Sequence, residues 1–213
     1  MPFKGWPAEA LEFFEELAFE NTKPWWLAHK DFYAEQVRGP MEALLAELQP
    51  AWGDGKIFRP YRDVRFSADR SPYKTHIGAT IGDGYVQLSA EGLAAGAGMW
   101  DMVADQLERY RASVDDNATG GKLSKLVADA RAAGLEIMSH DMLKTVPRGY
   151  PKDHPRIELL RHKGLATWRS WPPAAWLGTA RAKGRIVGFF EDSAPIVDWL
   201  DGHVGPSTAA PQD

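Results

Sequence analysis

The sequence predicts an α+β fold in a single domain, with helices packed on a largely antiparallel sheet and a helical N-terminal region. Apolar residues recur at helical spacing in the first quarter of the chain, alternate with polar ones in the middle, and return to helical spacing later. With 213 residues, 44% of them hydrophobic, the chain can bury a core without disulfides. No repeat or long linker interrupts it, so we expect one domain over residues 6–204 and a frayed tail over 205–213.

The N-terminal region predicts three helices. Thr22 is expected to cap the second helix, with Pro24 in its first turn, and Gly39-Pro40 is expected to end it. The apolar faces of the first and third helices are formed by Ala10, Phe14, Leu17 and Ala18, and by Met41, Leu44, Leu45 and Leu48. Gly53 to Gly55 then closes the helical region.

The middle of the chain predicts an antiparallel meander. The alternation of Ile77, Ala79 and Ile81 indicates a half-buried strand, which a glycine turn joins to a returning strand. Glycines inside the strand that follows predict a bulge or the close approach of another backbone. The strands expected beside the first are 57–58, 85–89 and 92–98.

The C-terminal half predicts further helices and two more strands. Asp101 is expected to cap a helix whose apolar face includes Tyr110, and a second helix is expected to end near Gly134. The remaining elements are a strand at 135–138, a loop at 148–154, a helical turn or two at 155–160, a strand at 165–171 and a closing helix at 196–203.

The composition and motif content exclude several classes of protein. The absence of cysteine excludes disulfides, thiolate metal sites and a cysteine nucleophile. No dinucleotide fingerprint, phosphate-binding P-loop, esterase elbow or metal-type histidine spacing is present, so we expect no cofactor and no metal. The chain also lacks a membrane-length apolar run and a signal-peptide pattern, so we expect a cytoplasmic protein without a membrane partner. The oligomeric state stays open.

The formal charge of −4 is distributed unevenly along the chain. Residues 56–76 contain six basic and two acidic residues, and residues 148–163 contain five and two. These two segments, the first and second basic stretches, together carry +7, so the other residues carry −11. A basic surface attracts small anions, whereas the acidic remainder repels bulk polyanions. The alternative is that the arginines are solvated and paired with neighbouring acids.

The first basic stretch contains the densest set of candidate binding residues. On a strand, Asp63 and Arg65 share one face, so an ion pair can fix the guanidinium. The planar fork of arginine suits carboxylate or phosphate, and cations held close together need an anion. The candidate ligand-binding residues are Arg62, Arg65, Ser67, Asp69, Tyr73 and Lys74. A structural salt-bridge corner is the alternative.

The motifs of this chain resemble those of a known family. The matching segments are Asn21 to Trp26, Arg62 to Ser67 with Asp69, Ser71 to Thr75, Gly92, Gly96, Gly98, Pro147, Gly149-Tyr150, Asp153 to Pro155, Leu160-Arg161 and Lys163. Together they are similar to a conserved-hypothetical family of bacteria and fungi, domain of unknown function 2461, from about Trp6 to Val204. Arg70 departs from the family's lysine, and Trp26 from its phenylalanine. The resemblance implies one domain with the motif segments brought together, and no established activity.

The second basic stretch predicts a rigid loop followed by a short helix. Prolines limit the backbone here and a glycine permits a tight turn, and binding groups are often found on such loops. Its candidate ligand-binding residues are Tyr150, Arg161 and Lys163. We hypothesise that this loop faces the first basic stretch, so that both line one cleft.

Histidine is the residue best suited to catalysis in such a cleft. His154 titrates near neutral pH when unperturbed, which suits general acid–base chemistry. Asp63 or Asp153 could orient its imidazole. Whether the protein is an enzyme stays open at this point.

Three functions fit the sequence. The favoured one is a basic cleft that binds a small anionic or phosphorylated ligand through both basic stretches. The second is a nucleic-acid or nucleotide-binding module that stacks bases on Tyr73 and Tyr150, which the net negative charge disfavours. The third is a structural or interaction protein whose arginine cluster stabilises the fold.

Overall fold

The computed structural model describes residues 2–63 and 70–209, and it confirms the α+β class. The helical elements are α1 (Glu9–Phe19), α2 (Lys23–Phe32), a π-helical turn (Tyr33–Arg38), α3 (Gly39–Trp52), α4 (Ala104–Asp115), α5 (Asn117–Ala132), α6 (Ile157–Arg161), a 3₁₀ turn (Ala175–Gly178) and α7 (Arg181–His203). The strands are β1 (Gly55–Ile57), β2 (His76–Ile81), β3 (Gly84–Ser89), β4 (Gly92–Met99), β5 (Glu136–Met138) and β6 (Leu165–Trp171). Within the described ranges the strands pair in the order β1-β2-β3-β4-β6-β5, in a largely antiparallel sheet.

The chain divides into two compact units. Unit 1 comprises Met1–Ala95 and Ser170–Phe189, and unit 2 comprises Gly96–Arg169 and Phe190–Asp213. Strands β4 and β6 and helix α7 each contribute residues to both units. The first basic stretch belongs to unit 1 and the second to unit 2. The predicted domain boundaries, 6–204, stay a prediction.

The prediction that Gly39-Pro40 ends the second helix is wrong. A π-helical turn joins α2 to α3, and within it the Gly39 N–H donates to Ala34 O, five residues earlier. Pro40 falls in the first turn of α3, where a missing N–H costs little. The helix start is confirmed, because the Thr22 hydroxyl accepts the Trp25 N–H at 3.3 Å.

One face of the sheet in unit 1 forms part of the core. Ile77, Ala79 and Ile81 are buried, as their alternation predicts, and α1 and α3 contact this part of the sheet. A Cβ at Gly55, opposite Ile81, would lie 3.1 Å from Leu45 of α3, which identifies the face that α3 covers. The opposite side of β1–β3, hereafter the outer face, carries Lys56, Phe58, His76, Gly78, Thr80, Tyr85, Gln87 and Ser89.

The glycines of β4 are confirmed as points of close backbone approach. A Cβ at Gly92 would collide with the Trp171 carbonyl oxygen, and a Cβ at Gly98 would lie 2.7 Å from Leu165 O. Both glycines have positive φ angles, +108° and +112°, which side-chain-bearing residues rarely adopt. The backbone of β6 therefore passes β4 at positions that only glycine fits.

The predicted cap of the helix after β4 is wrong. Helix α4 begins at Ala104, so Val103 occupies the cap position and Asp101 lies two residues before it. The Gln106 Oε1 accepts the Val103 N–H at 3.3 Å, which satisfies one of the free donors at the helix start. A glutamine three residues into a helix can thus supply part of the cap when the cap residue itself has no polar side chain.

The closing helix is longer than predicted. Helix α7 begins at Arg181 and contains Gly184, Gly188 and Pro195. These three residues interrupt the apolar periodicity of the sequence, but the pattern of buried residues continues past them. Proline and glycine are unfavourable inside helices, so tertiary packing maintains the helix here. In the described ranges no helix combines the length and apolar character needed to cross a membrane.

Side chains that donate to distant carbonyls connect the elements of unit 2. The buried Tyr110 hydroxyl donates to Leu159 O at 3.0 Å, and the Trp199 indole N–H donates to Thr119 O at 3.1 Å. These bonds satisfy buried polar groups, which are costly when left unpaired.

The start of the C-terminal tail is attached to α4. Asp105 accepts hydrogen bonds from the Thr208 N–H (2.8 Å) and the Ser207 hydroxyl (2.9 Å), and Arg109 donates to Pro206 O. The Thr208 N–H, followed by the Arg109 side chain, lowers the pKa of Asp105. Residues 210–213, the end of the predicted frayed tail, lie outside the described residues.

Two adjacent glycines of α5 provide a matched test of packing in unit 2. A Cβ at Gly120 would collide with the Val114 carbonyl oxygen and lie 2.7 Å from Arg156 Nε, whereas a Cβ at Gly121 would meet nothing within 4 Å. We expect Gly120→Ala to lower the free energy of unfolding by about 1–3 kcal/mol, because the backbone must shift. Gly121→Ala should raise it by about 0.5–1 kcal/mol. Urea denaturation measures both, and equal effects would contradict this packing.

Candidate anion-binding site

Two segments within the first basic stretch pair with each other just before β2. Tyr61 and Tyr73 form an antiparallel bridge, flanked by hydrogen bonds from Arg62 N to Pro72 O (2.9 Å) and from Lys74 N to Pro60 O (2.8 Å). The two tyrosines form a non-hydrogen-bonded pair, so their side chains share one face, and their rings lie 5.5 Å apart. Because side chains alternate along a strand, Arg62 and Lys74 belong to the opposite face.

Asn21 holds Tyr73 at both of its backbone polar groups. The Asn21 side-chain amide donates to Tyr73 O at 2.9 Å, and its Oδ1 accepts the Tyr73 N–H at 3.0 Å. Trp26 stacks on the Tyr73 ring at 4.4 Å, with 10° between the planes. Tyr73, predicted to contact the ligand, is 4% exposed. The ring is therefore covered, and its role in ligand binding stays a prediction.

Lys74 is a half-buried cation among other cations. Its ammonium lies 5.4 Å from the centre of the Phe58 ring, which gives a cation–π contact. Burial, followed by the positive charges of Arg59 and Arg62, lowers the pKa of Lys74. Within the described residues no carboxylate lies within salt-bridge distance of Lys74 or Arg59, so their charges are not neutralised there.

His76 lies beside these cations, on the outer face of the sheet. Burial, followed by the charges of Lys74 and Arg62, lowers the pKa of His76 below its usual value near 6.5. The imidazole is therefore neutral at pH 7, when it can accept one hydrogen bond and donate another. We call Arg59, Arg62 and Lys74, together with the neutral His76 beside them, the cation cluster.

The remaining predicted residues of the first basic stretch are only partly described. Arg62 is half-buried and Asp63 is exposed, and both have further interactions. Arg65, Ser67 and Asp69 lie outside the described residues, so the predicted Asp63–Arg65 pair does too. Asp63 belongs to unit 1 and His154 to unit 2, so the suggestion that Asp63 orients His154 stays a prediction.

A groove in unit 1 is apolar and separate in sequence from the basic stretches. Its volume is about 410 Å³, and its lining includes Trp6, Leu11, Pro173 and Leu177, with Glu15 as the charged residue. Because it contains no residue of the first basic stretch, this groove is not the predicted basic cleft.

Two cations of the second basic stretch, Arg161 and Lys163, bind other parts of unit 2. Arg161 donates to Leu143 O at 2.7 Å and to Lys144 O at 3.2 Å, and Lys163 forms an ion pair with Asp141 at 2.5 Å. The Lys163 ammonium in turn lowers the pKa of Asp141. Arg161 and Lys163 were predicted as ligand-binding residues, and in this structure they hold the loop that precedes α6.

His154 is buried, and both of its ring nitrogens have partners. Its Nδ1 accepts the Arg156 backbone N–H at 3.0 Å, so the proton resides on Nε2, which lies 3.1 Å from Asp115 Oδ1. The partner is thus Asp115, whereas the predicted Asp153 is exposed on the loop. The catalytic role suggested for His154 stays a prediction.

Tyr150, the remaining candidate, packs beside His154. The two rings meet edge to face at 6.4 Å. Burial, followed by the negative charge of Asp115, raises the pKa of Tyr150. Its hydroxyl is therefore protonated at neutral pH and can donate a hydrogen bond.

The sequence prediction missed Asn21 as a positioning residue, and it missed Phe58 and Asp115. Asn21 stands at the start of a family motif, but its partner lies 52 positions away. Phe58 is 37% exposed beside a run of cations, and this juxtaposition was visible in the sequence. Among the described residues, no group of three histidine, aspartate or glutamate side chains converges to hold a metal ion.

Comparison with known proteins agrees with the motif-based expectation. A family model described as "Conserved hypothetical protein (DUF2461)" matches residues 9–199, which confirms the predicted family. No curated protein and no solved structure matches the chain.

The two hydrogen bonds between the Asn21 side chain and the Tyr73 backbone, hereafter the Asn21–Tyr73 clamp, can be tested by exchanging one atom of Asn21. In Asn21→Asp a carboxylate oxygen replaces the amide nitrogen 2.9 Å from Tyr73 O, so two acceptors face each other. We expect the free energy of unfolding at pH 7 to fall by about 1–3 kcal/mol. Lowering the pH toward about 4 should reduce the loss, since the protonated acid donates again.

Asn117→Asp is the matched control for this test. The Asn117 Oδ1 only accepts a hydrogen bond, from Arg156 Nη2, and the residue lies at the start of α5, where negative charge is favourable. It should be neutral or slightly stabilising in the same thermal and urea denaturation measurements. An Asn21→Asp variant as stable as this control would show that the clamp is unimportant.

Proposed function

We propose that this chain, which belongs to the DUF2461 family of conserved hypothetical proteins, binds a small anion at the cation cluster of unit 1. The ligand class is a phosphorylated or similarly charged small molecule. The observation that carries the proposal is Lys74, a half-buried ammonium without a carboxylate partner among the described residues. The neighbouring cations repel the Lys74 ammonium. An anion bound beside Lys74 would offset this electrostatic repulsion, which is present in the free protein.

The hydrogen-bonding chemistry of the cluster supports the same ligand class. Lysine supplies three donors at one point, and arginine supplies a planar fork that matches two oxygens of a phosphate. The neutral imidazole of His76 adds a donor of moderate strength. Three residue types with different geometries can thus contact different oxygens of one tetrahedral anion.

The second basic stretch is not required by this proposal. Arg156 and Arg161 donate to backbone carbonyls within unit 2, which favours the structural alternative for that stretch. The hypothesis that both stretches line one cleft stays a prediction, as do the cytoplasmic location and any catalytic activity. His76 is the histidine of the cation cluster, where burial, followed by the charges of Lys74 and Arg62, lowers its pKa.

Substitution of Lys74 tests the proposal directly. We expect Lys74→Gln to weaken the binding of sulfate and inorganic phosphate about ten- to a hundredfold in isothermal titration calorimetry, because a charged hydrogen bond is lost. Lys30→Gln, an exposed lysine of α2, should bind like the wild-type protein. Wild-type protein that binds neither anion at millimolar concentration, or an equal loss in both variants, would contradict the proposal.

The stability of the same variant distinguishes binding from a structural role. If the cluster stabilises the fold, Lys74→Gln lowers the free energy of unfolding. We expect that energy to stay unchanged or to rise slightly without ligand, because repulsion among the cations falls.

The pH dependence of sulfate binding should follow Lys74. The free-state pKa of Lys74 is lowered, and a bound anion favours the ammonium form, so above neutral pH, where His76 is already neutral, affinity stays level and then falls as pH rises through the pKa of Lys74. The fall should begin below the pH near 10.4 at which an ordinary lysine titrates. Lys74→Arg should retain binding and lose this pH dependence, since arginine stays protonated. A decline of equal size in Lys74→Arg would assign the effect to another group.

A further inference from the structure

Two aromatic rings lie beside the cation cluster on the outer face of the sheet. Phe58 and Tyr85 have ring centres 6.3 Å apart, with 37° between their planes. Phe58 is 37% exposed and Tyr85 is half-buried, so neither belongs to the closed core. Burial raises the pKa of Tyr85 to about 12, so its hydroxyl stays protonated.

Gly78 lets Tyr85 lie against the sheet. A Cβ at Gly78 would collide with the Tyr85 hydroxyl oxygen and lie 3.0 Å from Cζ of that ring. Phe58 adjoins the same glycine, because its N–H donates to Gly78 O at 2.9 Å. The two rings and Gly78 therefore form one continuous apolar surface, which we call the aromatic floor.

The aromatic floor has a charged side and a polar side. The Lys74 ammonium is 5.4 Å from the centre of the Phe58 ring. Gln87 lies opposite Gly78 on β3, and its Oε1 accepts a hydrogen bond from the Tyr85 hydroxyl at 2.9 Å. The two N–H donors of the Gln87 amide remain for another group. A ligand that contacts the Lys74 ammonium thus adjoins the Phe58 ring, and the Gln87 amide adjoins the Tyr85 hydroxyl.

We propose that the ligand is a nucleoside phosphate, with its phosphate at the cation cluster and its base on the aromatic floor. This inference rests on the proposed function and adds the class of ligand. An inorganic anion needs only the cations, whereas cations beside an exposed ring are a combination that binds nucleotides by charge and stacking. The amide of Gln87 suits the polar edge of a base, which carries both donors and acceptors.

The sequence predicted that Tyr73 and Tyr150 stack bases, but neither ring belongs to the aromatic floor. Tyr73 lies between Trp26 and Tyr61 and is 4% exposed, so no face of its ring is open to a base. Tyr150 belongs to unit 2 and packs against His154. Phe58 is the exposed ring in contact with a cluster cation.

A comparison of three phosphates tests this inference. The probes are inorganic phosphate, ribose 5-phosphate and adenosine 5′-monophosphate, titrated calorimetrically into the wild-type protein. We expect adenosine monophosphate to bind about tenfold more tightly than ribose 5-phosphate, because one base is stacked. Phe58→Leu should abolish that ratio while ribose 5-phosphate still binds, and Phe19→Leu, at a ring that is 95% exposed on α1, should preserve it. Tyr85→Leu repeats the test at the second ring.

The outcomes separate this inference from the proposed function. Equal wild-type affinities for adenosine monophosphate and ribose 5-phosphate, or a ratio that survives in Phe58→Leu, would overturn the nucleotide class and leave anion binding intact. No binding of any of the three phosphates would overturn both. A 5′-phosphorylated oligothymidylate identifies the source of the ligand: tighter binding than the mononucleotide indicates the end of a single strand, and weaker binding indicates a free nucleotide.

Discussion

The placement of the first basic stretch depends on the two hydrogen bonds that Asn21 makes to the backbone of Tyr73. A bridge of one residue pair is too short to be stable alone, and buried backbone groups must find partners. Asn21 immediately precedes the cap of α2, and Trp26 in the same helix stacks on the Tyr73 ring. The helix therefore fixes Tyr73 at both its backbone and its side chain. Lys74 follows directly, so a helical scaffold determines where its ammonium lies.

The two basic stretches have similar charge, but their surroundings offer different acceptors. In the second, the loop before α6 and the end of α4 present free carbonyls, and Arg156 and Arg161 donate to them. In the first, the carbonyls at positions 60 and 72 are already used by the backbone bridge. Lys74 instead rests on an aromatic face, a contact that leaves its charge available. Charge counting cannot separate these cases, since it does not include the backbone.

The fold could be predicted where one signal dominated locally. The span of β6 matches its prediction at both ends, and the alternation of β2 gave its buried face. The π-helical turn before Pro40 could not be predicted, because spacing alone does not distinguish a helix that absorbs a proline from one that ends. At the candidate site, the basic residues could be identified by counting charges along the sequence. Their positioning by Asn21, and the pairing of His154 with Asp115, are tertiary contacts that no local pattern contains.

Lys74 is held in the cation cluster by interactions that do not consume its charge. A lysine in open solvent would turn away from neighbouring arginines, because an exposed side chain can relieve repulsion at little cost. Lys74 is retained by its backbone hydrogen bond to Pro60 O and by the Phe58 ring, and burial, followed by the charges of Arg59 and Arg62, lowers its pKa. Proteins tolerate such unfavourable arrangements mainly where a ligand relieves them. A ligand with a phosphate alone would relieve the repulsion. A ligand with a phosphate and a flat ring would also cover the aromatic floor, and so would gain from both features that the fold keeps exposed at this place.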